Sequence, residues 1–469
     1  MTESVTKKRW YEKIPHTYVI LFFMIILASI LTWVLPAGEF VREEVEGLNK
    51  PVVVPGSYTS VEQQGVGPFD VFRSIPEGMI GASQIIYMIL ISTASFGIIN
   101  STGAIDSLVA TFLNGIRKRK ISNLTVIWII TFAFSILGIF VGPEIQIPFT
   151  LIGISIALGL GYDTIVGLGM IMGGGFAGFN YGPINASILG TSHSIVGLPI
   201  FSGGLYRLLI WFVGTALVAL IVSLYAKRIE KDKTKSFVYG QDTTGLGFEK
   251  DLSEYKLESR HIIVLLVLLA EFIFIVIGTT KWGWYLTEMA TVFLIGGLVA
   301  GYLAGYNTDK IIELFTKGVS SAAAIALILG IARGIQITLE QGMIMDTIIN
   351  YLSKPLEGMS SSISAIFISI LTGIVHFFIP SGSGLAVSLM PVISPLGTIA
   401  GLSQQTTVLA FQMGATIPNY IFPTVGAMMA MLGIAKVPIN KWFKMGLLLT
   451  IASYIMAFVF IVIAVIIGY

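Results

Sequence analysis

Cysteine is absent from the 469-residue chain and histidine occurs four times, so no disulfide framework, thiolate nucleophile, Cys-type metal site or histidine cluster is available. Charge is the next scarcity: 12% of residues are charged, against about 25% in an ordinary soluble domain. A chain that is also 55% hydrophobic cannot face water over most of its surface, which excludes a soluble enzyme or nucleic-acid binder. The 28 Lys and Arg nearly cancel the 26 Asp and Glu, leaving no broad basic field for a polyanion. Equally missing are a Ser/His/Asp constellation, an HExxH pair and a GxxxxGK phosphate loop. No enzyme chemistry is expected, and ATP hydrolysis is excluded as an energy source.

What the chain has instead is long apolar runs. Residues 17–35, 78–100, 205–226, 261–279, 285–306, 319–341 and 445–467 each approach or exceed the roughly 20 residues a helix needs to cross a bilayer. An all-α polytopic membrane protein is expected. Residues 17–35 follow Lys7, Lys8, Arg9 and Lys13 and end in Trp33, Leu35 and Pro36 without a small-residue cleavage pattern, so this first helix is expected to stay.

Cytoplasmic loops are enriched in Lys and Arg. The cations cluster in the tail 1–16, at Arg117-Lys118-Arg119-Lys120, in the linker 227–260, at Lys310 and Lys317, and at Lys436, Lys441 and Lys444. Residues 37–77 carry seven acids against Arg42, Lys50 and Arg73 and read as an external loop. The path that keeps the clusters on one side has a cytoplasmic N-terminus, a connecting helix 261–279 and an external Tyr469. Two stretches of about 39 residues, 122–160 and 361–399, are interrupted by Gly142-Pro143-Glu144 and by Pro380-Ser381-Gly382-Ser383-Gly384. Each is a re-entrant hairpin or a pair of spans. Short arms and polar tips favour hairpins, since non-helical backbone at membrane depth must line a cavity or be buried in protein. The segments 164–198 and 404–436 that follow are broken helices crossing once.

Matches at a separation near 239 residues fall on these interruptions. Asn180-Tyr181-Gly182-Pro183 pairs with Asn419-Tyr420-Ile421-Phe422-Pro423, Leu198-Pro199-Ile200 with Val437-Pro438-Ile439, and Phe140-Val141-Gly142-Pro143 with Phe378-Ile379-Pro380-Ser381. Repeat 1 is expected over 17–226 and repeat 2 over 285–469, the second inverted by the single connecting helix. Inverted repeats with broken helices meeting at the midplane are a secondary-transporter design, because each break aims half-helix ends and freed backbone groups inward.

Candidate substrate-binding residues follow from that geometry. Glu144 and Gln146 are the polar side chains of the first tip, and an intramembrane carboxylate is costly enough to be read as functional. Ser381 and Ser383 offer hydroxyls at the second tip, where Gly382 lets backbone approach a ligand. Asn180, Asn185, Thr416 and Asn419 flank the breaks. Arg333, inside an apolar run, is the one cation not assignable to a loop; it binds a solute carboxylate, snorkels, or pairs with an acid such as Glu271. His193 and His376 read as satisfied core histidines. A carbonyl-built sodium site leaves no side-chain signature, so sodium and proton coupling both stay open, and no other cofactor is expected.

Leu31-Thr32-Trp33-Val34-Leu35-Pro36-Ala37-Gly38, Ile331-Ala332-Arg333-Gly334-Ile335, and Ile379-Pro380-Ser381-Gly382-Ser383-Gly384 followed by Met390-Pro391 resemble the YfcC-type branch of the C4-dicarboxylate anaerobic carriers, in the ion transporter superfamily. Gly161-Tyr162-Asp163 and Gly197-Leu198-Pro199-Ile200-Phe201-Ser202-Gly203 extend the resemblance over nearly the whole chain. It implies an elevator-type secondary carrier, usually a homodimer in the cell inner membrane, for C4-dicarboxylates or, in the arginine/ornithine exchanger branch, basic amino acids. The chain departs from many relatives at Glu144-Ile145, where they carry two adjacent acids, and at Gly414-Ala415, where they often carry an acid. Less negative charge favours a zwitterionic amino acid or small carboxylate over arginine. The expected function is therefore secondary transport of a small carboxylate-bearing solute across the cytoplasmic membrane, with a basic amino acid exchanger as the alternative and a channel less favoured.

Overall fold

The computed structural model describes residues 17–44, 51–140, 142–248, 252, 254–356 and 358–469; the expected cytoplasmic tail 1–16 lies outside them. In chain order the α-helices are α1 (Thr17–Val34), α2 (Pro68–Gly81), α3 (Ser83–Ser101), α4 (Ala104–Lys118), α5 (Asn123–Phe140), α6 (Thr150–Gly159), α7 (Thr164–Leu168), α8 (Gly174–Tyr181), α9 (Thr191–Val196) and α10 (Gly204–Lys231). They continue as α11 (Ser259–Lys281), α12 (Leu286–Leu303), α13 (Thr308–Gln341), α14 (Met345–Ser353), α15 (Ser361–Phe378), α16 (Gly382–Ile399), α17 (Gln404–Thr416), α18 (Gly426–Ile434) and α19 (Ile439–Ile467). Among the described residues, nine helices are long and apolar enough to cross a membrane.

The interruptions fall where proline and glycine remove the helical alternative. Pro143 and Pro148 lack amide hydrogens, and Pro143–Phe149 is a 3₁₀ segment between α5 and α6. Ser381 caps α16 by accepting the Gly384 N–H at 3.3 Å. Segment 164–198 is divided into α7, the π-helical turn Gly169–Gly173, α8, a second π-helical turn Ala186–Gly190, and α9. Segment 404–436 is divided into α17, the 3₁₀ turn Ile417–Tyr420, and α18. The arms of 361–399 are longer than their expected shortness: α15 and α16 have 18 residues each, a span's length.

Two further differences lie in the connections. The acidic stretch 37–77 is not loop throughout: β1 (Gly38–Glu39) pairs antiparallel with β4 (Thr59–Ser60), β2 (Arg42–Glu43) with β3 (Val52–Val53), and α2 begins at Pro68. Arg42 bridges Asp346 at 2.7 Å, tying this segment to the start of α14. Between Ser101 and Ser122, α4 is an amphipathic helix whose buried face carries Ile105, Val109, Leu113 and Ile116.

The two broken helices run antiparallel. At one end, Asp163 caps α7 through the Val166 N–H at 3.0 Å and accepts the Tyr225 hydroxyl at 2.5 Å and the Ser236 hydroxyl at 2.6 Å. Gln241 in the same linker accepts from Thr164 at 2.6 Å and donates to the Ala435 carbonyl at 2.9 Å, just beyond α18. At the opposite end Gln405 donates to Ser202, and Tyr469 donates to the Gly203 carbonyl at 2.8 Å. The start of each broken helix is therefore bonded to the finish of the other. Because hydrogen bonds to an ionised carboxylate contribute about 1.5–3 kcal/mol each, Asp163→Ala is expected to destabilise the protein by at least about 2 kcal/mol and to speed proteolysis within 232–248. Thermal unfolding and limited proteolysis in detergent check this; unchanged cleavage would remove Asp163 from the clasp.

Candidate functional site

At the first break α8 ends at Tyr181, Gly182 is extended at φ −60° and ψ 142°, and Pro183 follows. The carbonyls of Phe179, Asn180 and Gly182 freed there are caught. Asn185 Nδ2 donates to the Phe179 carbonyl at 3.0 Å, and Gln412 Nε2 donates to the Asn180 and Gly182 carbonyls at 3.1 and 3.3 Å. Thr416 Oγ1 donates to the carbonyl of Gln412 at 2.7 Å and reaches that of Asn180 at 3.4 Å. Buried backbone acceptors must be paired, and here two of the three partners, Gln412 and Thr416, come from α17 on the other broken helix. The two breaks are thereby locked together across the middle of the molecule.

The expected site residues differ in how far they are engaged. Asn185 is engaged: its Oδ1 also accepts the Ile188 N–H at 3.2 Å. Asn419 Oδ1 pairs with His376 Nε2 at 3.0 Å. Gln146 is fully buried and pressed into the crossing of α5 and α8; a Cβ on Gly138 would lie 3.2 Å from its Nε2, and one on Gly175 would meet its Oε1. Asn180 is fully buried, and its amide meets no partner in good hydrogen-bond geometry, with the Tyr181 and Tyr420 hydroxyls beside it.

The tips pack reciprocally. The first tip lies against α18, after the second break, and Phe149 at its end stacks on Phe272 of α11 with ring centroids 4.1 Å apart. Gly382 at the second tip approaches the turn after the first break, where an added Cβ would lie 3.0 Å from Ser187 Oγ. Glu144 is half-buried and folds back over Gly142, whose added Cβ would sit 2.7 Å from its Oε2. No Lys or Arg is within ion-pair distance of it among the described residues.

A cavity of about 490 Å³ opens beside the second tip, lined by Ser381, Gly384 and Ser388 together with Arg333, Gln336 and Glu340 of α13. Arg333 Nη1 bonds Gln336 Oε1, and Gln336 Nε2 donates to Glu340 at 2.6 Å. Of the three alternatives for Arg333, pairing with Glu271 does not form: Glu271 is buried on α11 against Gly296 of α12, with both oxygens unpartnered. Nor is Arg333 the one cation inside the apolar body. Arg207, in the first turn of α10, is fully buried and bonds Gln412. Its place at the edge of an apolar run reads as a loop-flanking cation. Gln412 carries no signal beyond being a lone amide two residues before a glycine.

A polytopic helical chain whose broken helices meet in its interior is a membrane transporter in class. The chain belongs to the C4-dicarboxylate anaerobic carrier family, whose profile matches residues 14–466. It is 29% identical to Escherichia coli (strain K12) "Putative basic amino acid antiporter YfcC", over 100% of this chain and 99% of that protein. It is 27% identical to an uncharacterized protein of Haemophilus influenzae Rd, over 97% of this chain and 98% of that one. Among solved structures, the YdaH transporter of Alcanivorax borkumensis aligns at TM-score 0.46 and 16% identity, covering 97% of this chain and 99% of that chain. Neisseria gonorrhoeae MtrF aligns at TM-score 0.45 and 16% identity, over 96% and 95%.

Proposed function

We propose that the protein is a secondary active transporter that carries a small carboxylate-bearing solute, a C4-dicarboxylate or an amino acid, across the cytoplasmic membrane by elevator-type alternating access. The observation that carries this reading is the reciprocal packing: each tip lies on the half-helix that follows the other repeat's break. Two inverted repeats, 17–226 and 285–469, account for that exchange and for the antiparallel broken helices. The stretches 122–160 and 361–399 act as hairpin gates, and Glu144, Asn180, Ser381 and Ser383 supply the groups a solute meets. A homodimer with cytoplasmic N-termini fits the family and the clustering of Lys and Arg.

Exchange of basic amino acids is the second reading, favoured by the name of the Escherichia coli relative and by Glu144, a carboxylate with no cation in ion-pair distance among the described residues. Uptake into proteoliposomes separates the two. Labelled succinate, aspartate and arginine are offered with and without a sodium gradient, a pH gradient and internal solute. Saturable succinate or aspartate accumulation is expected; arginine uptake that needs internal ornithine would replace the carboxylate reading. Uptake that never saturates would make the protein a channel.

A further inference from the structure

Arg207 is the only Lys or Arg among the described residues that is fully buried, and no described carboxylate lies within ion-pair distance of it. A guanidinium in an apolar interior is expensive unless paired, and membrane proteins place one where an anion meets it. Its Nη1 is taken by Gln412 Oε1, whereas Nε and Nη2 are buried, meet no acceptor in good hydrogen-bond geometry, and have the Tyr469 hydroxyl oxygen beside them. Those two nitrogens form the side edge of the guanidinium, which receives a carboxylate bidentately. That edge, which faces the Tyr469 hydroxyl and no carboxylate, is the one suited to this ligand.

His193, beside Arg207, adds a third donor. It is fully buried, and its Nδ1 accepts the Phe201 N–H at 3.0 Å, so the ring proton sits on Nε2, which is buried beside the Gln405 side chain without a hydrogen bond of good geometry. The nearby Tyr469 hydroxyl spends its hydrogen on the Gly203 carbonyl. Arg207 and His193 lie near one another, with no described acid in ion-pair distance, where Gln412 connects Arg207 to the Asn180 and Gly182 carbonyls of the first break. Gln405, bonded to Ser202, closes the same end of the broken helices.

We propose that Arg207, with His193, is the carboxylate anchor of the carried solute, and that Gln412 holds the guanidinium in register with the first break. This rests on the transport reading above and assigns its anionic end: Arg333 faces the cavity beside the second tip and Arg207 faces the breaks. The solute reaches the anchor when the Ser202–Gln405 contact parts.

The test uses full-length protein in detergent, with succinate as the anionic probe and 1,4-diaminobutane as a probe lacking carboxylates. Succinate is expected to raise the wild-type melting temperature in a saturable way. Arg207→Gln is expected to weaken succinate binding about 10- to 100-fold, the effect of losing bonds to a charged group. Arg207→Lys, which keeps the charge without the bidentate edge, is expected to fall in between, and the diaminobutane response is expected to be the same in all three. If Arg207→Gln does not fold, Arg207→Lys and His193→Gln carry the comparison. Wild-type succinate affinity in the variants, or no succinate binding by the wild type, overturns the anchor. Binding that follows Arg207 in a protein that accumulates no carboxylate in liposomes supports the anchor and overturns the transport reading instead.

Discussion

Glu144→Gln is expected to lower initial solute uptake in proteoliposomes about 10- to 100-fold while leaving expression and melting temperature at wild-type values. The two halves of this expectation have separate causes. Folding is spared because the carboxylate bonds no cation among the described residues and folds back over Gly142, so an amide of the same shape replaces it without orphaning a partner. Transport is not spared, because a half-buried charge on a 3₁₀ tip between two prolines is placed where it can meet a solute ammonium or carry a proton. Losing one bond to a charged group costs about 1.5–3 kcal/mol, which is the stated range of rates. A variant with wild-type uptake would take Glu144 out of the site. A variant that fails to fold would make it a structural cap.

Much of this architecture is legible in the sequence because proline and glycine have few alternatives in an apolar run. Gly142-Pro143, Gly182-Pro183 and Pro380-Ser381-Gly382 interrupt helices where the sequence places them, at Pro143–Phe149, Gly182 and Ser381. The family was equally readable, since its motifs run from the first helix to the second tip. What stayed hidden was set by packing between distant segments. Arg207 looks interfacial in sequence because it opens an apolar run, and only the approach of α17 and the chain end at Tyr469 buries it. Gln412 gains its role from carbonyls more than 200 residues away in sequence. The helix α2 was masked by its charges, Asp70, Arg73 and Glu77, which bridge one another at i,i+3 and i,i+4 on its exposed side while Gly78 approaches Gly330 and Gly334 of α13.

Gly414→Val is expected to abolish a folded, monodisperse protein in detergent. Gly414 lies in α17 where it crosses α15, and an added Cβ would stand 2.8 Å from both the Ser369 carbonyl carbon and Thr372 Cβ, and closer still to the Ser369 oxygen. Backbone cannot rotate out of the way as a side chain can, so the helices would have to separate. That separation would pull Gln412 and Thr416 from the carbonyls of the first break. Overpacking alone costs about 1–3 kcal/mol, and orphaned buried carbonyls add about 1–3 kcal/mol each; together these rival the whole stability of a domain, about 5–15 kcal/mol. Gly414→Ala carries the same Cβ against the Ser369 carbonyl and is expected to force the helices apart as well, giving less folded protein than the wild type but more than Val, which adds two branches. The acid that many relatives are expected to carry lies one residue on, at the position of Ala415, which is itself 1% exposed. Ala415→Asp therefore offers a contrast that steric crowding does not predict: if the breaks form the solute site, it shifts preference from carboxylates toward arginine in the uptake panel. Gly414→Val with a wild-type melting temperature and gel-filtration profile would refute the close crossing of α15 and α17.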